Sequence, residues 1–193
     1  MELSMNNDVK KSGSVFVYSD ELAWFDFGAD HYFKPERAAK TYELCNRYGV
    51  MNHGWMKILN PKRPDDSLLT VFHEEQYIRL LEKASKGEFS LEILERGIGT
   101  QDNPILPGIF DWALKVTGGT VEAINHILNG EALVAFNPLG GFHHARRGAA
   151  EGFCYVNDIV IAIKDAQKKY PGKKIAYIDI DAHHGNGVQE AFY

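Results

Sequence analysis

The sequence is short of cysteine and of long apolar runs. Its two cysteines, Cys45 and Cys154, make no disulfide framework and suit a reducing compartment. No apolar run reaches the roughly 18 to 20 residues that a membrane-spanning helix needs. The first residues, MELSMNNDVKKSGS, contain no apolar core of a signal peptide. We therefore expect a soluble, cytoplasmic protein that has no membrane partner.

The sequence also has no excess of basic charge. Lysine and arginine number 21 against 26 aspartates and glutamates, which gives a net charge of −5. A chain of this charge presents no broad basic surface, so we expect no direct contact with nucleic acid. With 193 residues, 45% of them hydrophobic and 24% charged, the chain is typical of one compact domain with one core.

Strand and helix patterns alternate along the chain. Residues 86–107 carry several glycines and prolines and predict a long loop, a feature that is often functional. The alternation predicts parallel βαβ units and an α/β fold, a three-layer parallel β-sheet with helices on both faces. The predicted strands are 14–19, 56–61, 132–137 and 175–182, and the predicted helices are 35–48, 68–81 after a cap at Asp66 or Ser67, 108–131, 153–170 and the last turn.

The strongest predicted strand runs into the stretch IDIDAHHGNG. Asp179, Asp181 and His183 alternate there, so in an extended chain they share one face. Two carboxylates and an imidazole repel and lose hydration unless a cation neutralises them. Aspartate and histidine together suit a borderline divalent metal such as Zn²⁺. The alternative is that the aspartates and histidines cap a following helix and that residues 184–187 form a plain turn.

A second polar stretch, LGGFHHARRGAAEGFCYVND, follows the apolar run 132–137. Adjacent residues of a strand point apart, so His143 and His144 can serve one site only in a loop. Gly140 and Gly141 supply the backbone freedom for such a loop. Ligands of open α/β sheets bind beyond the carboxyl ends of the strands, so we expect both stretches to form one site. A solvated loop with two surface histidines is the alternative.

The stretches GGFHHARRGAAEGFCYVNDI and YIDIDAHHGNGVQEAFY resemble the histone deacetylase superfamily, which has the arginase-like α/β fold. The nearest likeness is to bacterial deacetylases of the acetoin-utilisation type. HYFKPER, FHEEQYIRLL and GTQDNPILPGIF extend the resemblance over nearly the whole chain. It implies that residues 1–193 are the N-terminal part of a single deacetylase-like domain, with the remainder absent from this chain.

The resemblance implies roles for individual residues. Asp181 and His183 match two of the family's three zinc ligands, and the third, an aspartate, is missing from the chain. Asp158 is the best placed of the remaining acids, but the family puts it on a helix that faces away. The oxyanion-stabilising tyrosine of the family is missing too. The implied catalytic residues are His143, His144, Asp179, which orients the first histidine, and Asn186, which partners the second.

Further roles concern the substrate and a structural cation. The resemblance implies that Gly152 receives the substrate amide at its carbonyl, that Phe153 walls an acyl-lysine tunnel, and that Arg37 lies in an inner cavity for acetate release. It also implies a structural K⁺ bound near Asp179, Asp181 and His183. The chain departs from the family in three places. Asn186 stands where some branches have aspartate, Tyr32 replaces a common proline, and Glu151 replaces a small residue.

The implied function is a zinc-dependent amidohydrolase that removes acetyl groups from acetylated lysine or a small acetylated amine. We expect this chain to be a fragment that is inactive alone. Its incomplete sheet would expose an apolar edge, so we expect self-association or binding of a complementary C-terminal chain. One alternative is a non-catalytic remnant or interaction module of the same fold. A two-manganese ureohydrolase is disfavoured because Gly185 stands where its Asp-Ala-His-x-Asp run has an aspartate.

Overall fold

The structure is a computed structural model that describes residues 13–193. Residues 1–12, in which no signal peptide is predicted, lie outside the described part of the chain. Every helix within 13–193 is too short or too polar to cross a bilayer.

The described residues alternate between strands and helices, as predicted. Two short 3₁₀ helices, Val50–Asn52 and Asp66–Val71, lie beside the regular elements. In chain order the strands and α-helices are β1 (Gly13–Val17), α1 (Asp20–Ala23), α2 (Glu36–Arg47), β2 (Met56–Leu59), α3 (Glu75–Ser85), α4 (Leu91–Glu95), α5 (Ile109–Leu128), β3 (Ala132–Phe136), α6 (Asp158–Lys169) and α7 (Asn186–Phe192).

The sheet is parallel, with the strand order β2-β1-β3. The central strand β1 is buried on both faces, as its continuous apolar run predicts. Phe16 faces Tyr42 of α2, with ring centroids 5.9 Å apart. Its neighbour Val17 points to the opposite face, toward Gly119 of α5. The predicted α/β fold with helices on both faces of a parallel sheet is confirmed, and the sheet is partial.

The paired glycines of α5 allow the close approach of other backbone. A Cβ atom on Gly118 would lie 2.8 Å from the carbonyl oxygen of Lys62, and one on Gly119 would lie 2.9 Å from Cγ1 of Val17. Both distances are shorter than a carbon contact allows. The packing of α5 against β1 and the chain after β2 therefore requires these glycines.

The segment 175–182, predicted as the strongest strand, forms no strand in the structure. Ile178 and Ile180 are 82% and 95% exposed. The edge strand β3 likewise exposes Leu133 and Val134, at 71% and 59%. A run of apolar residues becomes a buried strand only when other segments pair with its backbone and cover its side chains. Residues 13–193 supply no such cover for either segment. The predicted strand 132–137 is present as β3, while the strand prediction for 175–182 is wrong.

Two helix boundaries and one loop also differ from the predictions. The helix expected over 68–81 divides into the 3₁₀ helix Asp66–Val71 and α3, and Asp65 caps the first by accepting from the Ser67 amide (2.9 Å). The predicted loop 86–107 contains α4. The helix expected from residue 153 begins only at Asp158, because Phe153 has a φ of 70° and cannot continue a right-handed helix.

Candidate active site

The histidine loop, residues 140–145, is held by hydrogen bonds to the side chain of Asp158, the first residue of α6. The fully buried carboxylate of Asp158 accepts hydrogen bonds from the amides of Gly141 (3.1 Å) and Phe142 (2.8 Å). It also accepts from the hydroxyl of Thr120 (2.6 Å). Burial raises the pKa of Asp158, and these three bonds oppose that rise. The carboxylate therefore holds the backbone that leads into the two histidines and, with its oxygens occupied, is no candidate metal ligand.

The preceding residue, Asn157, fixes the other side of the loop. Its Nδ2 donates to the carbonyl of Ala145 (3.0 Å) and, more weakly, to that of His143 (3.4 Å). Its Oδ1 accepts from Val160 and so caps α6 (3.1 Å). The amide of Gly187, in α7, donates to the same His143 carbonyl (3.0 Å). The backbone on both sides of the histidine pair is thus tied to two helix starts.

A buried histidine outside the site, His73, anchors this arrangement. It is 3% exposed, its Nε2 accepts from the Asn157 amide (3.0 Å), and its Nδ1 lies 3.2 Å from the Arg147 carbonyl. One ring nitrogen accepts and the other donates, so the ring is neutral with hydrogen on Nδ1. Burial lowers the pKa of His73 to about 4.

His143 lies against Asp179, at a distance of 2.7 Å between Nδ1 and Oδ2. Partial burial opposes ionisation of this carboxylate. Hydrogen bonds from Tyr177, His143 and the Asp181 amide nevertheless lower the pKa of Asp179 to about 2. An ionised carboxylate only accepts, so Nδ1 of His143 carries a hydrogen, and Nε2 is the nitrogen that holds the lone pair in the neutral form of the ring. The structure therefore joins the two polar stretches.

His144 lies against Asn186, with Nδ1 and Oδ1 2.8 Å apart. The two histidine rings have centroids 4.1 Å apart and are tilted by 58°. The ring of His144 also packs on Gly152, where a Cβ atom would lie 2.5 Å from Cδ2 of the ring. The predicted partners of both histidines thus contact them, while the catalytic roles stay predictions.

The two predicted metal ligands lie side by side, with Oδ1 of Asp181 and Nδ1 of His183 3.0 Å apart. A carboxylate oxygen and an imidazole nitrogen are zinc donors, and a catalytic site takes three such ligands. Among the described residues, no group of three or more such side chains is placed to hold a metal. The pair supplies two donors of the kind that zinc takes, and the zinc site stays a prediction.

The backbone around these ligands forms local turns. The amides of Asp181 and His183 donate to the carboxylates two residues before them, at 3.0 and 2.8 Å. These turns precede residues 184–187, for which the sequence leaves a plain turn open as the alternative and where α7 instead begins at Asn186. The carboxylate of Asp181 and the ring of His183 remain exposed, so these local turns and a metal can coexist. The K⁺ site expected near Asp179, Asp181 and His183 stays a prediction.

One cavity of about 520 Å³ joins the predicted residues. Asp179 and Asn186 do not line this cavity, although each contacts one of the two histidines. Gly152 and Phe153 both have positive φ, 54° and 70°, and this strained backbone directs the Phe153 ring to the cavity wall. Of the predicted residues, those that line the cavity are Arg37, His143, His144, Gly152, Phe153, Asp181 and His183.

Sequence reasoning missed several neighbours of the site. Cys154 lines the cavity, but burial raises the pKa of its thiol to about 12, so it is no nucleophile. The clamp formed by Asn157 and Asp158 was missed as well. Its only sequence signal is a capping residue followed by an acid, which is common at the start of any helix.

The chain is similar in sequence to several known proteins. A profile described as the histone deacetylase domain matches residues 31–193. Acetoin utilization protein AcuC of Bacillus subtilis (strain 168) is 39% identical over 181 residues, which are 93% of this chain and 46% of the relative. Histone deacetylase 1 of Homo sapiens is 35% identical over 181 residues, 92% of this chain and 36% of the relative.

Solved structures agree with the sequence matches. The crystal structure of an HDAC homolog from Aquifex aeolicus superposes with a TM-score of 0.83 at 33% identity, covering 94% of this chain and 48% of that one. An HDAC homolog complexed with SAHA gives a TM-score of 0.82 at 33% identity over the same shares. The chain spans about half the length of the AcuC relative and of these structures, and less of the human relative.

Proposed function

The chain belongs to the histone deacetylase family, and we propose that it carries the histidine half of a zinc-dependent deacetylase site. The proposed reaction is hydrolysis of the acetyl amide of acetylated lysine or of a small acetylated amine. The observation that carries the proposal is the pair His143 and His144. Each binds an acceptor through Nδ1, and both line one cavity with Asp181 and His183.

A divalent ion such as Zn²⁺, held by Asp181, His183 and a ligand from elsewhere, would polarise the amide carbonyl and acidify a bound water. The chain's own histidines would move the protons. The ionised Asp179 keeps Nε2 of His143 free to accept one and stabilises the imidazolium that results. One histidine of the pair accepts the proton of the attacking water, and one returns a proton to the leaving amine. Each such transfer typically contributes about 10²–10⁴-fold.

The cavity also supports an acylated chain as substrate. Phe153 offers an apolar wall at the left-handed turn, next to Gly152. The Gly152 carbonyl accepts from the Cys154 thiol (3.2 Å), and a carbonyl has a second lone pair for a substrate N–H. Arg37 lies with its guanidinium 5.9 Å from the Phe33 ring, on the same cavity. There it would attract the carboxylate of released acetate.

The exposed apolar residues of β3 and of the segment 175–180 favour the binding of a further partner at the sheet. We propose that β3 and the segment 175–180 take up further chain, either a complementary C-terminal part of the domain or a second copy. The support is the exposure of Leu133, Val134 and Ile178 at positions whose sequence favours burial. Covering such surface contributes about 25 cal/mol for each Å² of apolar area.

Acetate release tests the proposed reaction. The substrates are an acetyl-lysine peptide and a small acetylated amine, with Zn²⁺ added to this chain and, separately, to the full-length product of its gene. We expect turnover by the full-length product, a loss of about 10²-fold or more in His143→Ala, and bound zinc that falls in Asp181→Asn. His53→Ala, an exposed histidine away from the cavity, is the control and should retain the parent rate.

Two outcomes separate the alternatives. Absence of both zinc binding and turnover from the full-length product would overturn the proposal and favour the non-catalytic interaction module. Hydrolysis of arginine or agmatine with added Mn²⁺, but not of acetylated substrates, would favour the ureohydrolase.

A further inference from the structure

Glu151 lies next to the partner of the second histidine. Its Oε1 accepts from Nδ2 of Asn186 (2.7 Å), and the Oδ1 of the same amide faces Nδ1 of His144 (2.8 Å). The three side chains thus form one hydrogen-bonded series, in the order Glu151, Asn186 and His144. The side chain of Glu151 is 45% exposed, so the carboxylate is hydrated and contributes little to stability as an ion pair.

The chemistry of these groups fixes which end of the Asn186 amide faces Glu151 and which end faces His144. An ionised carboxylate only accepts hydrogen bonds, so it binds the NH₂ end of an amide and never the oxygen end. The NH₂ end of Asn186 is therefore held toward Glu151, and its oxygen is held toward His144. An oxygen in that place accepts, which requires the hydrogen of the neutral His144 ring to lie on Nδ1. The lone pair of Nε2 is then left free.

We propose that Glu151 is a positioning residue, which orients the Asn186 amide and thereby selects the Nδ1–H tautomer of His144. The inference rests on the proposed function, because only a histidine that transfers protons needs a selected tautomer. Without the carboxylate, an amide can turn over and present its NH₂ end to the ring, which would move the hydrogen to Nε2.

Two neighbours define how strong the effect is. The Gly187 amide also donates to Oδ1 of Asn186 (3.1 Å) and favours the same orientation, so loss of Glu151 should give a mixture of tautomers. Arg146 donates to the other oxygen of Glu151 (2.7 Å) and holds the carboxylate in place. Partial burial opposes ionisation of Glu151, but the hydrogen bonds from Arg146 and Asn186 outweigh it and lower its pKa.

The test is a double-variant cycle with Glu151→Gln and Asn186→Asp. In Glu151→Gln the new amide cannot satisfy both Arg146 and Asn186, since its one oxygen serves one of them. In Asn186→Asp two carboxylates meet about 2.7 Å apart. In the double variant the amide at 151 donates to the carboxylate at 186 and still accepts from Arg146, so both contacts return. The coupling of contacting residues is what such a cycle measures.

Nuclear magnetic resonance of this chain reads the tautomer from the couplings between ring protons and ring nitrogens. We expect Nδ1–H for His144 in the parent, a measurable share of Nε2–H in Glu151→Gln, and Nδ1–H again in the double variant. Asn186→Asp alone should lower the melting temperature by about 2 °C or more, and the second change should restore most of it. Glu190→Gln is the matched control, because Glu190 faces Arg146 (3.6 Å) from the other side.

The inference is refuted if Glu151→Gln leaves the tautomer as in the parent, or if the two melting shifts simply add. The inference is also refuted if Glu190→Gln restores the melting temperature of Asn186→Asp to the same extent as Glu151→Gln does. None of these readouts needs zinc or substrate. A full-length product that neither binds zinc nor hydrolyses acetylated substrates would therefore overturn the proposed function and leave this result standing.

Discussion

Acid should loosen the histidine loop through His73, the buried ring that binds the Asn157 amide and the Arg147 carbonyl. Protonation puts a hydrogen on Nε2, which then faces the Asn157 N–H instead of accepting from it. Burial adds the cost of an unpaired charge and lowers the pKa of His73 from 6.5 to about 4. The folded protein therefore resists a proton that the unfolded chain accepts.

The sign and size follow from this difference. Between pH 6.5 and 4 the unfolded chain binds more protons, so the contribution of His73 is fully present above pH 6.5 and falls as the pH falls through that window. Each pH unit of the difference corresponds to about 1.4 kcal/mol, so the whole loss is about 3 kcal/mol. By pH 5, about 2 kcal/mol of it should be gone.

Urea unfolding at pH 7.5 and pH 5.0 measures this loss in the parent and in His73→Gln. The variant is less stable than the parent at pH 7.5, because the ring bonds are gone. Its further decrease at pH 5.0 should be about 2 kcal/mol smaller than that of the parent, since other titrating groups contribute alike to both. His53→Gln, which removes an exposed histidine, should keep the parent's decrease. An equal decrease in the parent and His73→Gln would refute the reasoning.

Two further predictions concern close packing and the sheet edge. In Gly187→Ala the added Cβ would lie 2.3 Å from the Ala145 carbonyl oxygen, so we expect a loss of about 1–3 kcal/mol in urea unfolding; Gly54→Ala meets no atom within 4 Å and is the control. A Gly187→Ala variant as stable as Gly54→Ala would contradict the packing. Size-exclusion chromatography of this chain should show concentration-dependent association that Leu133→Lys weakens and Tyr48→Lys, equally exposed elsewhere, does not. A clean monomer from the parent would contradict the proposed edge.

The contact between the two polar stretches could be predicted from the sequence. Both follow apolar runs, and the carboxyl ends of parallel strands meet at one side of a sheet. The structure brings His143 and Asp179 together even though the second run, 175–182, forms no strand. Hydrogen bonds to the first residues of α6 and α7 position the histidine loop, and the expected strand pairing did not consider them.

The boundaries near the site could not be predicted, for a local reason. Phe153 adopts a φ of 70°, which nothing in its side chain favours, and the loop extends to Asn157 before the helix begins. Helix propensity and apolar spacing both favoured an earlier start. The tertiary contacts of Asn157 and Asp158 with the histidine loop override them, and such contacts leave no pattern in a single sequence.

The two halves of the proposed site differ in what supports them. Asp158, Asn157 and Gly187 hold the histidine loop through buried hydrogen bonds, so its geometry does not depend on what covers the sheet edge. Asp181 and His183 instead lie on an exposed segment whose apolar residues have no cover in 13–193. Holding these apolar side chains in water costs free energy that metal binding alone would have to offset. A partner that covers them removes the cost, so metal affinity should rise with association, and association with metal, by the same factor.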